Sequence, residues 1–216
     1  MNERSAGMRP LIPAALLLAY ACGSSNPEPV SAPTPAADSA ALARATPHAF
    51  VTAREQYYDI DGSSAGALRD QIHRLGPKDE TGKSQDALTV WSVESGYAAA
   101  QRGDSCVLRD VKVTLNVAVT LPRWKPPATA TAQLVRTWQA YLKAVRLHEA
   151  GHRTIAERNA REVMAALTPL RGTNCDKLLS EASNTVERIV ADGRARNRAY
   201  DVQTQHGQTQ GVELGP

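Results

Sequence analysis

Beyond its N-terminal leader the chain lacks any apolar run approaching the ~20 residues that a membrane-spanning helix needs. It also lacks a concentration of charge of either sign. The formal net charge is +3, and the densest basic stretch, Arg194, Arg196 and Arg198, alternates along a predicted helix so that the three do not share one face. With no nucleic-acid motif beside them, they read as a solvated surface and argue against a nucleic-acid partner. No internal repeat is visible, which removes solenoids and propellers from consideration. What remains is room for one domain with a proper core, plus extensions.

The N-terminus reads as an address. Arg4 and Arg9 precede Leu11-Ile12-Pro13-Ala14-Ala15-Leu16-Leu17-Leu18, too short to span a bilayer but right for a signal-peptide core, so residues 1–21 are expected to direct export. Ala19-Tyr20-Ala21 is followed at once by Cys22-Gly23-Ser24-Ser25, which resembles a bacterial lipoprotein signal with Cys22 as the lipidated first residue. Ordinary cleavage after Ala21 is the alternative, and Met8 is a second candidate start. Residues 22–46 are Pro, Ala, Ser and Thr with few large apolar side chains, a composition that cannot offset the entropy of ordering and reads as a tether. The expected location is the cell envelope, in the periplasm with a lipid anchor in the membrane.

Residues 47–216 are then the folded domain, with Cys106 and Cys175 as its cysteines. In an exported protein the pair suggests a disulfide tying the strand before the long helix to the turn after it, in preference to two separate buried thiols. Ala49 to Ile60 is rich in aromatic and β-branched residues and ends at Asp61-Gly62, a strand and turn. Ser63 or Ser64 can cap a short helix with Leu68, Ile72 and Leu75 at helical spacing, stopped by Gly76-Pro77. A strand is expected from about Ala87 to Tyr97. The clearest strand follows Cys106, where Val111, Val113, Leu115, Val117, Val119 and Leu121 alternate with polar or small residues until Pro122. After Pro127, Leu134, Trp138, Tyr141, Leu142 and Val145 begin an apolar helical pattern that runs to Leu167 and Pro169, as one very long helix or two abutting ones. Leu178, Leu179, Ala182, Val186, Ile189 and Val190 mark another helix reaching roughly Tyr200. Strands first and helices later is an α+β arrangement.

The long helical pattern contains His148-Glu149-Ala150-Gly151-His152. Positions four apart on a helix share a face, so both imidazoles can address one ion, and neutral imidazole suits Zn²⁺. Glu149 beside that ion can take a proton from an attacking water. The competing reading is a pair of ordinary surface or core histidines; His48 and His73, away from any ligand pattern, are read as ordinary surface histidines. A catalytic zinc takes three protein ligands, so one is missing. If the two long helices form an antiparallel hairpin whose ends are level, His152 faces about residue 192 and His148 about residue 196, while Glu181 lies on the order of 15 Å from His152. Glu157 and Glu162 have the wrong face or too much axial distance and are expected to be solvated. The neighbouring segment Tyr200-Asp201-Val202-Gln203-Thr204-Gln205-His206-Gly207 offers His206 as the third ligand, with Asp201 and Asp192 as alternatives. Asp201 can instead orient a ligand histidine, and Tyr200 can donate to the oxyanion of a tetrahedral intermediate. The opposing reading of this segment is a disordered tail with a stray histidine.

Tyr57-Tyr58-Asp59-Ile60, Leu121-Pro122-x-Trp124, His148-Glu149-x-Gly151-His152 and Tyr200-Asp201-x-x-Thr204-x-His206-Gly207 together resemble a bacterial family of unknown function described as predicted secreted zinc-dependent proteases. The resemblance implies a zincin-like fold, a small mainly antiparallel sheet packed on the long motif helix and a C-terminal helix. It implies His148 and His152 as zinc ligands and Glu149 as the base. By analogy the strand from Val111 to Leu121 is a candidate edge for binding extended peptide. The expected function is a zinc-dependent metallopeptidase acting on peptide or protein substrates; the alternatives are a non-enzymatic envelope lipoprotein and a zinc amidase acting on a cell-wall component.

Overall fold

The alternating run after Cys106 forms the centre of the sheet, and everything else is arranged around it. A computed structural model describes residues 49–215; the expected signal peptide, the Cys22 lipidation site and the tether lie outside the described residues. Strand β1 (Phe50–Ile60) leads to helix α1 (Ala65–Leu75), then strands β2 (Leu88–Arg102) and β3 (Ser105–Trp124). Helix α2 (Ala132–Leu167), the two-residue strand β4 (Arg171–Gly172) and helix α3 (Cys175–Thr204) follow, with a short 3-10 turn at Gln208–Gln210. The class is α+β.

The sheet order is β1-β3-β2, with β4 also paired to β3. β1 runs parallel to β3 along its whole length, whereas β2 and β4 are antiparallel to it. The sheet is therefore mixed: the two antiparallel pairings are as expected, and the parallel pairing of β1 with β3 is the departure. β3 is paired on both sides, so it cannot serve as the peptide-binding edge expected of it. Alternation reports which face is covered, and Val113, Leu115 and Val117 are indeed buried, but a half-buried central strand and a half-buried edge strand alternate alike. β2 continues past Tyr97 through Ala98-Ala99-Ala100, poor strand formers held by pairing with the start of β3.

α1 starts where the Ser64 hydroxyl accepts a hydrogen bond from the Ala67 amide, and it buries Leu68 and Ile72. α2 is one unbroken helix of 36 residues capped by Thr131. Its C-terminal half packs Ala156, Ala160, Val163 and Leu167 against Val113, Leu115, Leu178 and Ala182. Its N-terminal half packs Trp138, Tyr141 and Val145 against Ile60, Leu121, Trp124 and Leu214. Between the two clusters the buried residues of α2 are His148, Glu149 and His152. Cys106 and Cys175 form a disulfide joining the start of β3 to the start of α3.

The α2–α3 hairpin is not level at its ends. Gly193 lies against Asn159, which donates to the Ile189 carbonyl; His152 meets Asn197; His148 meets Thr204. α3 is thus displaced by about two turns, or ~11 Å at 1.5 Å per residue, from the register of level ends. The cause is β4: the connecting segment leaves α2 and pairs with Cys106 and Val107 before α3 begins. Gly193 gives the close approach expected of it, because a Cβ there would overlap the Asn159 side chain. Among the described residues no helix is long and apolar enough to cross a membrane.

Candidate metal centre

The displaced register brings Asp201 to the histidine pair. His148 Nε2 and His152 Nε2 are 3.2 Å apart, and Asp201 Oδ1 lies 3.3 Å from the first and 3.0 Å from the second. Both imidazoles are buried, and the Asp201 side chain is 24% exposed, so the cluster opens to one side. The other ring nitrogens are engaged: His148 Nδ1 is 3.0 Å from Gln210 Oε1, and His152 Nδ1 is 2.9 Å from Asn197 Oδ1. An amide oxygen only accepts, so each Nδ1 carries its ring's proton and each neutral ring turns an unprotonated Nε2 toward the carboxylate. Two ring nitrogens and a carboxylate oxygen then converge, a set of acceptors suited to a cation.

The donor set fits zinc. Ligand atoms about 2.0–2.1 Å from a tetrahedral zinc stand about 3.3 Å from one another, close to the three separations observed here. The same preference for positive charge acts on the titrating groups. Burial works to raise Asp201, but the two imidazoles outweigh it and hold its carboxyl far below the usual range. Burial opposes a charged His152, and the Asp201 carboxylate overcomes it, so that ring's proton affinity is raised. His148, His152 and Asp201 are the group of potential metal ligands that the described residues bring within 4.8 Å.

His206, expected as third ligand, stands outside that group. Its Nδ1 is 3.7 Å from Asp201 Oδ1, and its side chain is 52% exposed at the rim of the same 270 Å³ cavity. The backbone is left-handed at Gln205, His206 and Gly207, a conformation that L side chains adopt at a cost. This run ends α3 and turns the chain back over His148, where a Cβ on Gly207 would press on the imidazole. Asp192, the other alternative, is exposed and sits more than two turns before Asp201 on α3.

Glu149 borders the cavity beside the histidines, its Oε2 accepting a 2.6 Å hydrogen bond from the Thr89 hydroxyl on β2. Burial, the largest influence, raises its carboxyl above the ordinary glutamate range, against the pull of the Thr89 hydroxyl and the two imidazoles. Tyr200, expected to face an oxyanion, does not line the cavity. Its ring stacks on His148 at 5.2 Å, and its hydroxyl bonds to Gln210 and the His148 carbonyl. That hydroxyl is also why residue 151 is glycine, since a Cβ there would overlap it. Tyr200 positions a ring.

Thr89, Asn197 and Gln210 escape a reading of the sequence alone. Asn197, Tyr200, Asp201 and Thr204 do form a polar stripe at i, i+3, i+4 and i+7 on α3, a signal available from the sequence. Thr89 carries none, because its contact with Glu149 spans 60 positions.

Residues 55–207 match a family described as "Bacterial protein of unknown function (DUF922)", and the match embraces every residue of the cluster. No curated protein and no solved structure matches the chain.

Proposed function

The chain belongs to that bacterial family, and from this premise we propose that it is a zincin-like, zinc-dependent metallopeptidase of the cell envelope, with His148, His152 and Asp201 holding the metal. The reading is carried by one observation: two imidazole Nε2 atoms and a carboxylate oxygen converge in a buried cluster whose Nδ1 atoms are already committed. Zinc held there supplies Lewis acidity, polarising a carbonyl and acidifying water.

The chain's own residues do the rest. Asn197 and Gln210 fix the tautomer and orientation of the two rings, the service that metal-binding histidines require. Glu149 takes a proton from the attacking water and delivers it to the leaving amine. A raised carboxyl suits that exchange, and Thr89 holds one carboxylate oxygen so that the other faces the cavity. His206, at the rim, donates to the oxygen of the tetrahedral intermediate in place of Tyr200, whose hydroxyl is engaged. Export by the expected leader and anchoring through Cys22, both part of this proposal, would put this chemistry outside the cytoplasm.

The test is zinc stoichiometry beside hydrolysis of a mixed peptide substrate. The wild-type chain is expected to bind about one zinc. Glu149→Gln is expected to retain it while turnover falls about 10²–10⁴-fold. A chain that stays metal-free in zinc-replete buffer overturns the proposal.

A further inference from the structure

The cavity over the cluster does not end there. It opens into a 650 Å³ cleft between the start of β2 and α3, which shares Leu88, Thr89, Asn197, Asp201 and His206 with it. Beyond that cleft a shallow groove continues along α3 past Val93, Val186 and Val190. Arg194 and Arg198 border both and join them into one channel. β2 is paired with β3 alone, so among the described residues the backbone of Leu88–Trp91 has no strand partner on its other side. Val90 and Val202 stand exposed at the channel, 57% and 77%. Such an edge is a template for an extended chain.

The charge of the channel says which chain. Arg194, Arg196 and Arg198 differ in their use. Arg196 turns inward and pairs with Glu162 on α2. Arg194 and Arg198, one turn apart on the outer face, have no ion-pair partner among the described residues. The acidic groups of the cleft are Asp79, Glu80 and Asp201, with Glu187 farther along the groove. Asp201 faces the two imidazoles, and Asp79 stays ionised while it accepts hydrogen bonds within its own loop from Thr81, Lys83 and Gln85. Among the described residues, Arg194 and Arg198 are thus the unpaired cations on the α3 side of the channel. Arg198 and Arg194 start about 4.5 Å and 10 Å along α3 from Asp201, the reach of about one to three residues of extended peptide.

Resting on the reading of the metal centre as a peptidase, we propose that its substrate is an extended acidic segment, lying along the edge of β2 with a carboxylate side chain on Arg194 and Arg198. These two arginines determine specificity and form no hydrogen bond or ion pair with His148, His152 or Asp201.

Two measurements separate this proposal from the one it rests on. In the first, a fluorescent peptide of alternating alanine and glutamate, and its glutamine counterpart, are titrated against the zinc-loaded Glu149→Gln chain, which holds peptide without turnover. The acidic peptide is expected to bind at least about tenfold more tightly. The double charge reversal Arg194→Glu with Arg198→Glu should abolish that preference, while Arg74→Glu with Arg136→Glu, matched in net charge, should leave it intact. Equal binding of the two peptides, or equal loss with the control pair, overturns the proposal. In the second, the wild-type chain is given both peptides: cleavage favouring glutamate supports it, and indiscriminate cleavage overturns it while leaving the peptidase standing. Preferential binding with no cleavage of either peptide leaves the acidic channel standing and removes the peptidase reading.

Discussion

The two halves of α2 are buried in different ways. The C-terminal half lies among small aliphatic residues, with α3 close against it at Gly193 and the disulfide at the far end. The N-terminal half lies among aromatic rings, Trp124, Trp138 and Tyr141, and is covered by loops, by α1 and by Leu214 near the C-terminus. A continuous helix partner and a cross-link make the first half self-sufficient; the second depends on segments far apart in sequence. His148, Glu149 and His152 occupy the junction. Asp201 and Asn197 reach them from α3, whereas Gln210 arrives with the returning chain that ends in the aromatic half. On the proposed reading, a metal bound at the junction would fasten the less secure half to the more secure one.

The difference between the two halves is greatest at the disulfide. Replacing Cys106 and Cys175 by alanine should lower stability by about 4 kcal/mol for the loop they close, measured by urea unfolding, yet the protein that remains folded should bind zinc as before. If zinc affinity falls in step with stability, the aliphatic half is not independent of the site. Gln210→Ala should weaken zinc binding about 10–100-fold, with little change in unfolding of the metal-free chain. Its mirror image in the other half, Asn197→Ala, should do the same, and competition with a chelator reads both. Thr89→Val keeps the side chain's shape but removes the hydroxyl; turnover should drop about tenfold with KM and zinc content unchanged, since only the base is released. The smallest effect belongs to Asp79, whose carboxyl is held at about 2, chiefly by the Thr81 hydroxyl. A depressed acid contributes stability above its unfolded value near 4, so that contribution vanishes as pH falls through the folded value. Asp79→Asn should loosen the loop at neutral pH, seen as faster amide exchange at residues 79–85, and differ little from wild type in strong acid.

The parts of this molecule legible in its sequence are those written in local pattern. Period and caps locate α1 and the end of α2 nearly to the residue, as Ser64 and the stop before Pro169 illustrate, and the cysteine pair forms its bond. The same pattern fits one helix or two over α2, and α3 runs to Thr204, past its expected end near Tyr200. Half the candidate metal centre is equally local, because one turn of helix suffices to align His148 and His152. What failed to show depended on where elements sit against each other. The place of β3 in the sheet, the two-turn offset of α3 and the hydrogen bond from Thr89 to Glu149 are long-range facts with no periodic trace. Donor type favours His206 over Asp201, and level helix ends set residues 192–196 opposite the histidines; two residues of β4, too short to leave a pattern, displace α3 and bring the Asp201 carboxylate to the pair.

The proposed centre is defined by the residue that completes it. Zinc per chain, measured by elemental analysis after dialysis at micromolar free zinc, should be near one for the wild type and for His206→Ala, and near zero for Asp201→Ala, each chain checked for folding by circular dichroism. Zinc lost from a folded His206→Ala but retained by Asp201→Ala would contradict the proposed centre.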